Sequence, residues 1–156
     1  MKQLHKWNNS CRYSYNKTIW LMKEDSTLSK LDLRNLITPE IVNSRNPWIL
    51  ETPKAIREAS VFEAYKNRSA CITNLKNENI KFFNLRFLSK KNKTWTINGV
   101  DSVKKINSKC IKIFPDYNFG YVKTKEIIPD TFKTCAIHFD GIHYYILMPI
   151  EREKKK

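Results

Sequence analysis

Residues 134–148 read TCAIHFDGIHYYILM, and this stretch decides the class of fold. Apolar or aromatic residues occupy every second position on both sides of Asp140-Gly141, a pair that supplies the backbone angles of a tight turn. The pattern predicts a β-hairpin with a two-residue loop, in which Phe139 pairs with Ile142 and Ile137 with Tyr144. One face of the hairpin is expected to join the core, and it carries Cys135, Ile137, Phe139, Tyr144, Ile146 and Met148.

Further β signals lie upstream of this hairpin, from residue 94 onward. Asn98-Gly99 predicts another tight turn, for the same reason as Asp140-Gly141. We expect an antiparallel unit of five or six strands, and a compact barrel would leave it without exposed edges. The predicted strands are Thr94–Ile97, Val103–Ile106, Cys110–Phe114, Gly120–Val122, Phe132–Phe139 and Ile142–Met148.

The first half of the chain has the patterns of helices. Apolar residues recur at spacings of three and four over about residues 3–23, which predicts an amphipathic helix. Ser29 is a suitable N-cap for a short helix that runs through Ile37. Thr52-Pro53 predicts the start of a long helix to about Asn77, with the threonine as N-cap and the proline at the first helical position.

Helices that precede strands are typical of the α+β class. We predict an N-terminal helical bundle over residues 1–91 and a small antiparallel, β-barrel-like region over residues 92–150. Residues 151–156 form a basic tail.

The chain is strongly basic. Its 156 residues include 29 Lys and Arg against 15 Asp and Glu, a formal net charge of +14. Such an excess predicts attraction to polyanions, above all to nucleic acid. We expect no membrane partner, because no stretch approaches the ~20 apolar residues that cross a bilayer. The polar N-terminus does not resemble a secretory signal, so we expect an intracellular protein.

Cations and aromatic rings are mixed at two places. The face of the first helix opposite its apolar stripe carries Lys6, Tyr13, Lys17 and Trp20. Either this face packs on another element, which is the favoured interpretation, or its rings stack unpaired bases between cations. Residues 90–95 (KKNKTW) mix the same residue types, and the alternative at both places is a solvated charged face with a core tryptophan. The residues predicted to bind nucleic acid are Arg12, Tyr13, Lys17, Trp20, Arg34, Lys54, Arg57, Lys90, Lys91, Lys93 and Trp95.

No catalytic or metal chemistry is expected from this chain. His138 and His143 would face each other across the predicted hairpin, but no third ligand accompanies them, and a metal site needs about four. The acidic residues are scattered, whereas metal-dependent nucleases cluster carboxylates around divalent ions. We therefore predict no catalytic residue, no metal and no cofactor. The four cysteines have no close spacing and are expected to be buried; they are Cys11, Cys71, Cys110 and Cys135.

The order of these segments resembles TnpB proteins and their eukaryotic and viral relatives, the Fanzors. Residues 4–7 (LHKW) and 11–17 (CRYSYNK) resemble the first helix of that family, which often has an Arg-aromatic-x-Tyr-Asn core. The resemblance continues in the same order over nearly the whole chain. The other matching segments are Leu31–Asn35, Trp48 with Pro53, Ile56–Ala59, Glu63–Lys66, Phe83–Phe87 with Ser89–Lys91, Phe119–Lys123, Phe139–Gly141 and Tyr144–Ile146.

The resemblance implies part of an RNA-guided DNA endonuclease, in which base pairing reads most of the target and the protein contacts the backbones. Its partners would be guide-like RNA, DNA or both. Two departures stand out: no strand precedes the first helix, and residues 151–156 (EREKKK) stand where the family's RuvC-like nuclease domain should begin. We therefore expect a nucleic-acid-binding N-terminal fragment without nuclease activity, with any C-terminal nuclease half encoded separately. The alternative is a small basic architectural or protein-interaction module that docks partners on its first helix.

Overall fold

The computed structural model describes residues 1–151, so the predicted basic tail lies outside the described residues except for Glu151. The fold begins with four helices. They are α1 (Lys2–Glu24), α2 (Lys30–Ile37), α3 (Pro47–Leu50) and α4 (Lys54–Lys76). α1 and α4 have 23 residues each and pack against one another, and α2 lies against both. None of these helices is long and apolar enough to cross a membrane. The first helix, the short helix and the long helix predicted from the sequence are confirmed.

Local chemistry explains where the helices begin. Ser29 forms a capping box at α2: its hydroxyl accepts the amide of Asp32, whose carboxylate accepts the amide of Ser29. The prediction that Thr52 caps α4 is wrong, because its buried hydroxyl donates to Ser10 Oγ at 2.7 Å. α4 begins at Lys54 with Pro53 in the N-cap position. Thr52 therefore connects the loop before α4 to α1 and does not cap the helix.

Six short strands follow and form two antiparallel sheets. They are β1 (Trp95–Val100), β2 (Val103–Asn107), β3 (Cys110–Ile113), β4 (Tyr121–Lys123), β5 (Cys135–Phe139) and β6 (Tyr144–Leu147). The strand order is β1-β5-β6 in one sheet and β2-β3-β4 in the other. The α+β class is thus confirmed, but the expected barrel is not, since no ladder joins the two sheets within the described residues. Strands of three to six residues are too short to bridge both sheets, and β5 pairs with β1 instead of β4.

The closing hairpin has a longer loop than the sequence predicted. Phe139 pairs with Tyr144 and not with Ile142, so the loop covers residues 140–143. The Asp140 carboxylate accepts two amides inside this loop, at 2.8 and 2.7 Å, and these bonds stabilise the wider turn. A shift by two residues keeps each side chain on its own side of the sheet. The predicted inner face is therefore confirmed for five of its six residues even though the register was wrong, and the sixth, Phe139, is half-buried outside the core.

The pair Asn98-Gly99 does not turn the chain, contrary to the prediction. It lies inside β1 as a bulge, where the register with β5 shifts between Ile97 and Val100. Gly99 has a φ angle of +77°, and a Cβ atom there would lie 2.6 Å from the Cβ of Ala59 and 2.7 Å from the carbonyl oxygen of Ala55. The glycine therefore permits both the bulge and a close approach of β1 to α4.

Two hydrophobic cores meet along α1. One lies between the sheets and the N-terminal half of α1, and the other lies among α1, α2 and α4. The first includes Trp7, Ile56, Ile97, Ile111 and Ile137, and the second includes Ile19, Leu33 and Val61. Because both cores hold α1 along its length, one side of this helix is packed and the remaining face is open to a ligand.

Candidate nucleic-acid interface

A groove of about 740 Å³ runs along the exposed face of α1. We call it the α1 groove. α1 contributes most of its lining, and the rest comes from α3, from Glu51 just after it and from the segment that precedes β1. The lining residues are Lys6, Asn9, Arg12, Tyr13, Asn16, Lys17, Trp20, Trp48, Glu51 and Lys90.

Three aromatic rings line the α1 groove, and two of them are widely open to solvent. Trp20 is 52% exposed and Trp48 is 42% exposed. Tyr13 is half-buried and meets Trp48 edge-on, with ring centroids 5.7 Å apart. Lys17 Nζ lies 5.7 Å from the centroid of the Tyr13 ring. The favoured interpretation from the sequence, in which this face packs on another element, is therefore wrong for Trp20 in the described chain.

The α1 groove is positively charged, because four cationic side chains share it with one carboxylate. Lys6 Nζ donates to Glu51 Oε2 at 3.0 Å, and both side chains are more than half exposed. An exposed ion pair contributes little to stability, so Lys6 is free to exchange Glu51 for another anion. Within residues 1–151, no ion pair joins Arg12 or Lys90 to a carboxylate. An anionic ligand can therefore bind these cations without breaking a strong ion pair.

The wall that carries Trp48 is held by polar contacts from the buried side of α1. Trp7 Nε1 donates to the carbonyl oxygen of Glu51 at 3.2 Å. The bond between Thr52 and Ser10 lies next to it and is buried. These contacts fix the end of α3 on α1. Trp48 is therefore held beside Tyr13 although α3 has only four residues.

A second wall comes from the segment between α4 and β1. The Asn16 side chain donates from Nδ2 to the Leu88 carbonyl oxygen at 3.0 Å and accepts the Leu88 amide on Oδ1 at 2.7 Å. Lys90 follows two residues later and lines the α1 groove.

The structure brings together five of the eleven residues predicted to bind nucleic acid. They are Arg12, Tyr13, Lys17, Trp20 and Lys90. Sequence reasoning missed Asn9, Asn16 and Trp48 as members of this surface. Asn9 and Asn16 share the helical spacing of Tyr13 and Trp20, so the period of α1 was a usable signal. No local sequence pattern predicts that Trp48 lines the α1 groove, because tertiary contacts determine its position.

Arg57 is a correction to the predicted site. It is only 4% exposed, and its guanidinium donates to the carbonyl oxygens of Thr38 at 2.6 Å and Thr52 at 3.1 Å. Burial lowers the pKa of this guanidinium from its ordinary value. The side chain therefore holds the loop between α2 and α4 in place and is not available to a phosphate.

The remaining predicted residues lie outside the α1 groove. Arg34 and Lys54 both approach Glu58, at 3.9 and 3.8 Å. Trp95 is half-buried, and its ring centroid lies 5.2 Å from that of Phe139. Lys91 and Lys93 are exposed near Lys90. Their assignment to nucleic acid stays a prediction.

The histidines and cysteines show no arrangement for metal chemistry in the described part of the chain. His138 faces Tyr145 across the hairpin, whereas His143 lies in the loop, so the two do not pair as predicted. No three His, Cys, Asp or Glu side chains of residues 1–151 are grouped to hold a metal ion. Burial raises the pKa of the Cys11 thiol to about 12. Cys11 and Cys135 are buried as predicted, but the other two cysteines are only partly covered.

Comparison with known proteins gives one informative similarity. No protein-family model matches the chain. A protein of Paramecium bursaria Chlorella virus 1, described as a "Putative transposase", is 29% identical over 168 aligned positions, which cover 97% of this chain and 38% of the viral protein. The chain thus spans about two fifths of the length of that curated relative. The similarity supports a transposase-like relationship.

Proposed function

We propose that the chain is a nucleic-acid-binding part of a transposon-associated protein of the TnpB and Fanzor type. In this proposal the α1 groove binds an unpaired RNA or DNA strand, with phosphates on the cations and bases on the indole rings. Two findings support it: the similarity to a viral protein described as a transposase, and the mixture of cations and open rings in one groove.

The observation that carries the proposal is the exposure of two tryptophans within a positively charged groove. A tryptophan at the surface leaves a large apolar area in water unless a ligand covers it. The faces of unpaired bases stack on such rings, whereas a duplex hides its base faces inside its own stack. The α1 groove therefore favours a single strand over a duplex.

Binding, and not cleavage, is the function that we propose for these residues. The nuclease chemistry of a TnpB-like protein would come from a C-terminal half, encoded together with this chain or separately. Guide-like RNA, DNA or both would be the partners.

Affinity as a function of salt tests this proposal. Each phosphate held by a cation releases about 0.7 counterions from a single strand, so the four groove cations predict a loss of roughly fiftyfold between about 50 and 200 mM salt. Fluorescence anisotropy with a labelled single strand and a duplex of equal length measures the affinity for each form and its dependence on salt. We expect the single strand to bind more tightly. Equal binding of both forms, or an affinity that salt does not change, would contradict the proposal.

The second candidate function is docking of a protein on the same face of α1. The observation that favours it is again the exposure of Trp20 and Trp48, since indole rings are also enriched in protein interfaces. A stoichiometric protein partner that binds independently of salt, together with no affinity for single strands, would favour this alternative.

A further inference from the structure

The segment between α4 and β1 crosses α1 without secondary structure of its own. In the described chain no helix or strand covers residues 77–94. Both polar groups of the Leu88 backbone nevertheless have partners, because the Asn16 side chain donates to the carbonyl and accepts the amide. The carboxamide thereby replaces the pair of bonds that a neighbouring strand would supply.

The contact with Asn16 is the tertiary anchor closest to Lys90. Other anchors lie further upstream: Leu85 packs on the core between the helices, and Lys23 Nζ lies 5.0 Å from the centroid of the Phe87 ring. Between Leu88 and β1 the hydrogen bonds of the described chain are local, since the amide of Lys91 donates to the hydroxyl of Ser89 at 3.1 Å, and the next tertiary anchor is Trp95, which pairs with Phe139. On its N-terminal side, Lys90 is therefore held on α1 by the two bonds made by Asn16.

We propose that Asn16 is a positioning residue for nucleic-acid binding, which holds residues 88–90 on α1 so that Lys90 meets a phosphate in the α1 groove. This inference rests on the proposed function. Without the two bonds, the backbone around Leu88 would be flexible in the free protein and would have to become ordered whenever a strand binds to Lys90. The entropic cost of that ordering would oppose binding, and the contact of Lys90 would be lost.

A double-mutant cycle between Asn16 and Lys90 tests the inference. Asn16→Ala, Lys90→Ala and the double variant are titrated with one labelled single-stranded oligonucleotide at several salt concentrations. We expect each single variant to flatten the slope of log affinity against log salt by about 0.7, the value for one phosphate on a single strand. The double variant should flatten it no further, since both changes remove the same contact.

Asn67→Ala is the matched control. The Asn67 side chain donates from Nδ2 to the hydroxyl of Tyr15 at 3.0 Å, so this variant also removes an asparagine hydrogen bond to α1, but away from the α1 groove. It should leave the salt slope unchanged. Hydrogen exchange provides a second readout: the Leu88 amide should be protected in the unaltered protein and in Asn67→Ala, and should exchange rapidly in Asn16→Ala.

The outcomes separate this inference from the proposed function. If Lys17→Ala and Lys90→Ala flatten the slope of log affinity against log salt and Asn16→Ala does not, only the role of Asn16 is overturned. Additive losses in the double variant would do the same, because the two residues would then act independently. No effect of either lysine would overturn the proposed function together with the inference.

Discussion

Gly99→Ala should destabilise the protein strongly, because β1 and α4 approach each other at this residue. The new methyl group would lie 2.6 Å from the Cβ of Ala59 and 2.7 Å from the carbonyl oxygen of Ala55, in a backbone with φ of +77°. The left-handed backbone costs about 1–2 kcal/mol for a residue with a Cβ atom. Overpacking of a well-packed contact costs about 1–3 kcal/mol more. We therefore expect the free energy of unfolding to fall by about 2–5 kcal/mol.

Gly120→Ala separates the two contributions. Gly120 has a similar φ of +84°, but a Cβ atom there would meet nothing within 4 Å. This control should show only the backbone cost, about 1–2 kcal/mol. Urea denaturation measures both variants, and thermal unfolding should show a loss of roughly 4–20 °C for Gly99→Ala in a chain of this length. Equal effects of the two substitutions would refute the close contact between β1 and α4.

The remaining predictions concern two polar contacts. Hydrogen bonds from the backbone amides of His143 and Ile142 lower the pKa of Asp140 from its ordinary value of 3.8 to about 2, so the stability that this carboxylate contributes is present above about pH 4 and is lost as the pH falls towards 2. A carboxyl titration followed by NMR should show this pKa, and a value near 3.8 would contradict the loop geometry. Arg57→Ala should lower the free energy of unfolding by about 2–5 kcal/mol, because it leaves the buried carbonyls of Thr38 and Thr52 without their charged donor. Urea denaturation tests this, and a change below about 0.5 kcal/mol, typical of surface positions, would contradict it.

The helices and the class of fold were predictable because their signals are local. The apolar spacing of α1 and the capping box at Ser29 lie within a few residues of the structures that they specify. The alternation around β5 and β6 fixes which side chains face inward, and a shift by two residues does not change that. The sequence was therefore sufficient to predict α1, α2, α4 and the inward side of β5 and β6, but not the short helix α3.

The register and the turns were not predictable because the same local signal is compatible with more than one backbone structure. Asp140-Gly141 fits a two-residue loop in isolation, but two hydrogen bonds to the carboxylate favour a loop of four residues. Asn98-Gly99 has the same local signal and serves instead to let β1 approach α4. Both errors arose because a glycine with a positive φ angle is compatible with a two-residue turn, a longer loop and a bulge alike.

The candidate site was half predictable for a similar reason. Residues on the open face of α1 share one helical period, so Tyr13, Lys17 and Trp20 could be grouped from the sequence. Trp48 and Lys90 reach the same groove only through tertiary hydrogen bonds made by the loops that carry them. Arg57 was wrongly included because a buried arginine and an exposed one look alike in a sequence.

The most direct test of binding in the α1 groove is the affinity of Trp20→Ala for a single strand, measured beside Tyr121→Ala. Tyr121 is 67% exposed, and Lys112 Nζ lies 5.8 Å from the centroid of its ring, so it is likewise an exposed ring in a basic environment, but on the sheet of β2, β3 and β4, outside the groove. Trp20→Ala should weaken binding by ~1–3 kcal/mol, the usual contribution of one base stacked on an aromatic ring, while Tyr121→Ala should bind as the unaltered protein does. Both variants should keep their melting temperature, since both rings are largely exposed. Unchanged affinity in Trp20→Ala, or an equal loss in both variants, would contradict binding of a strand in the α1 groove.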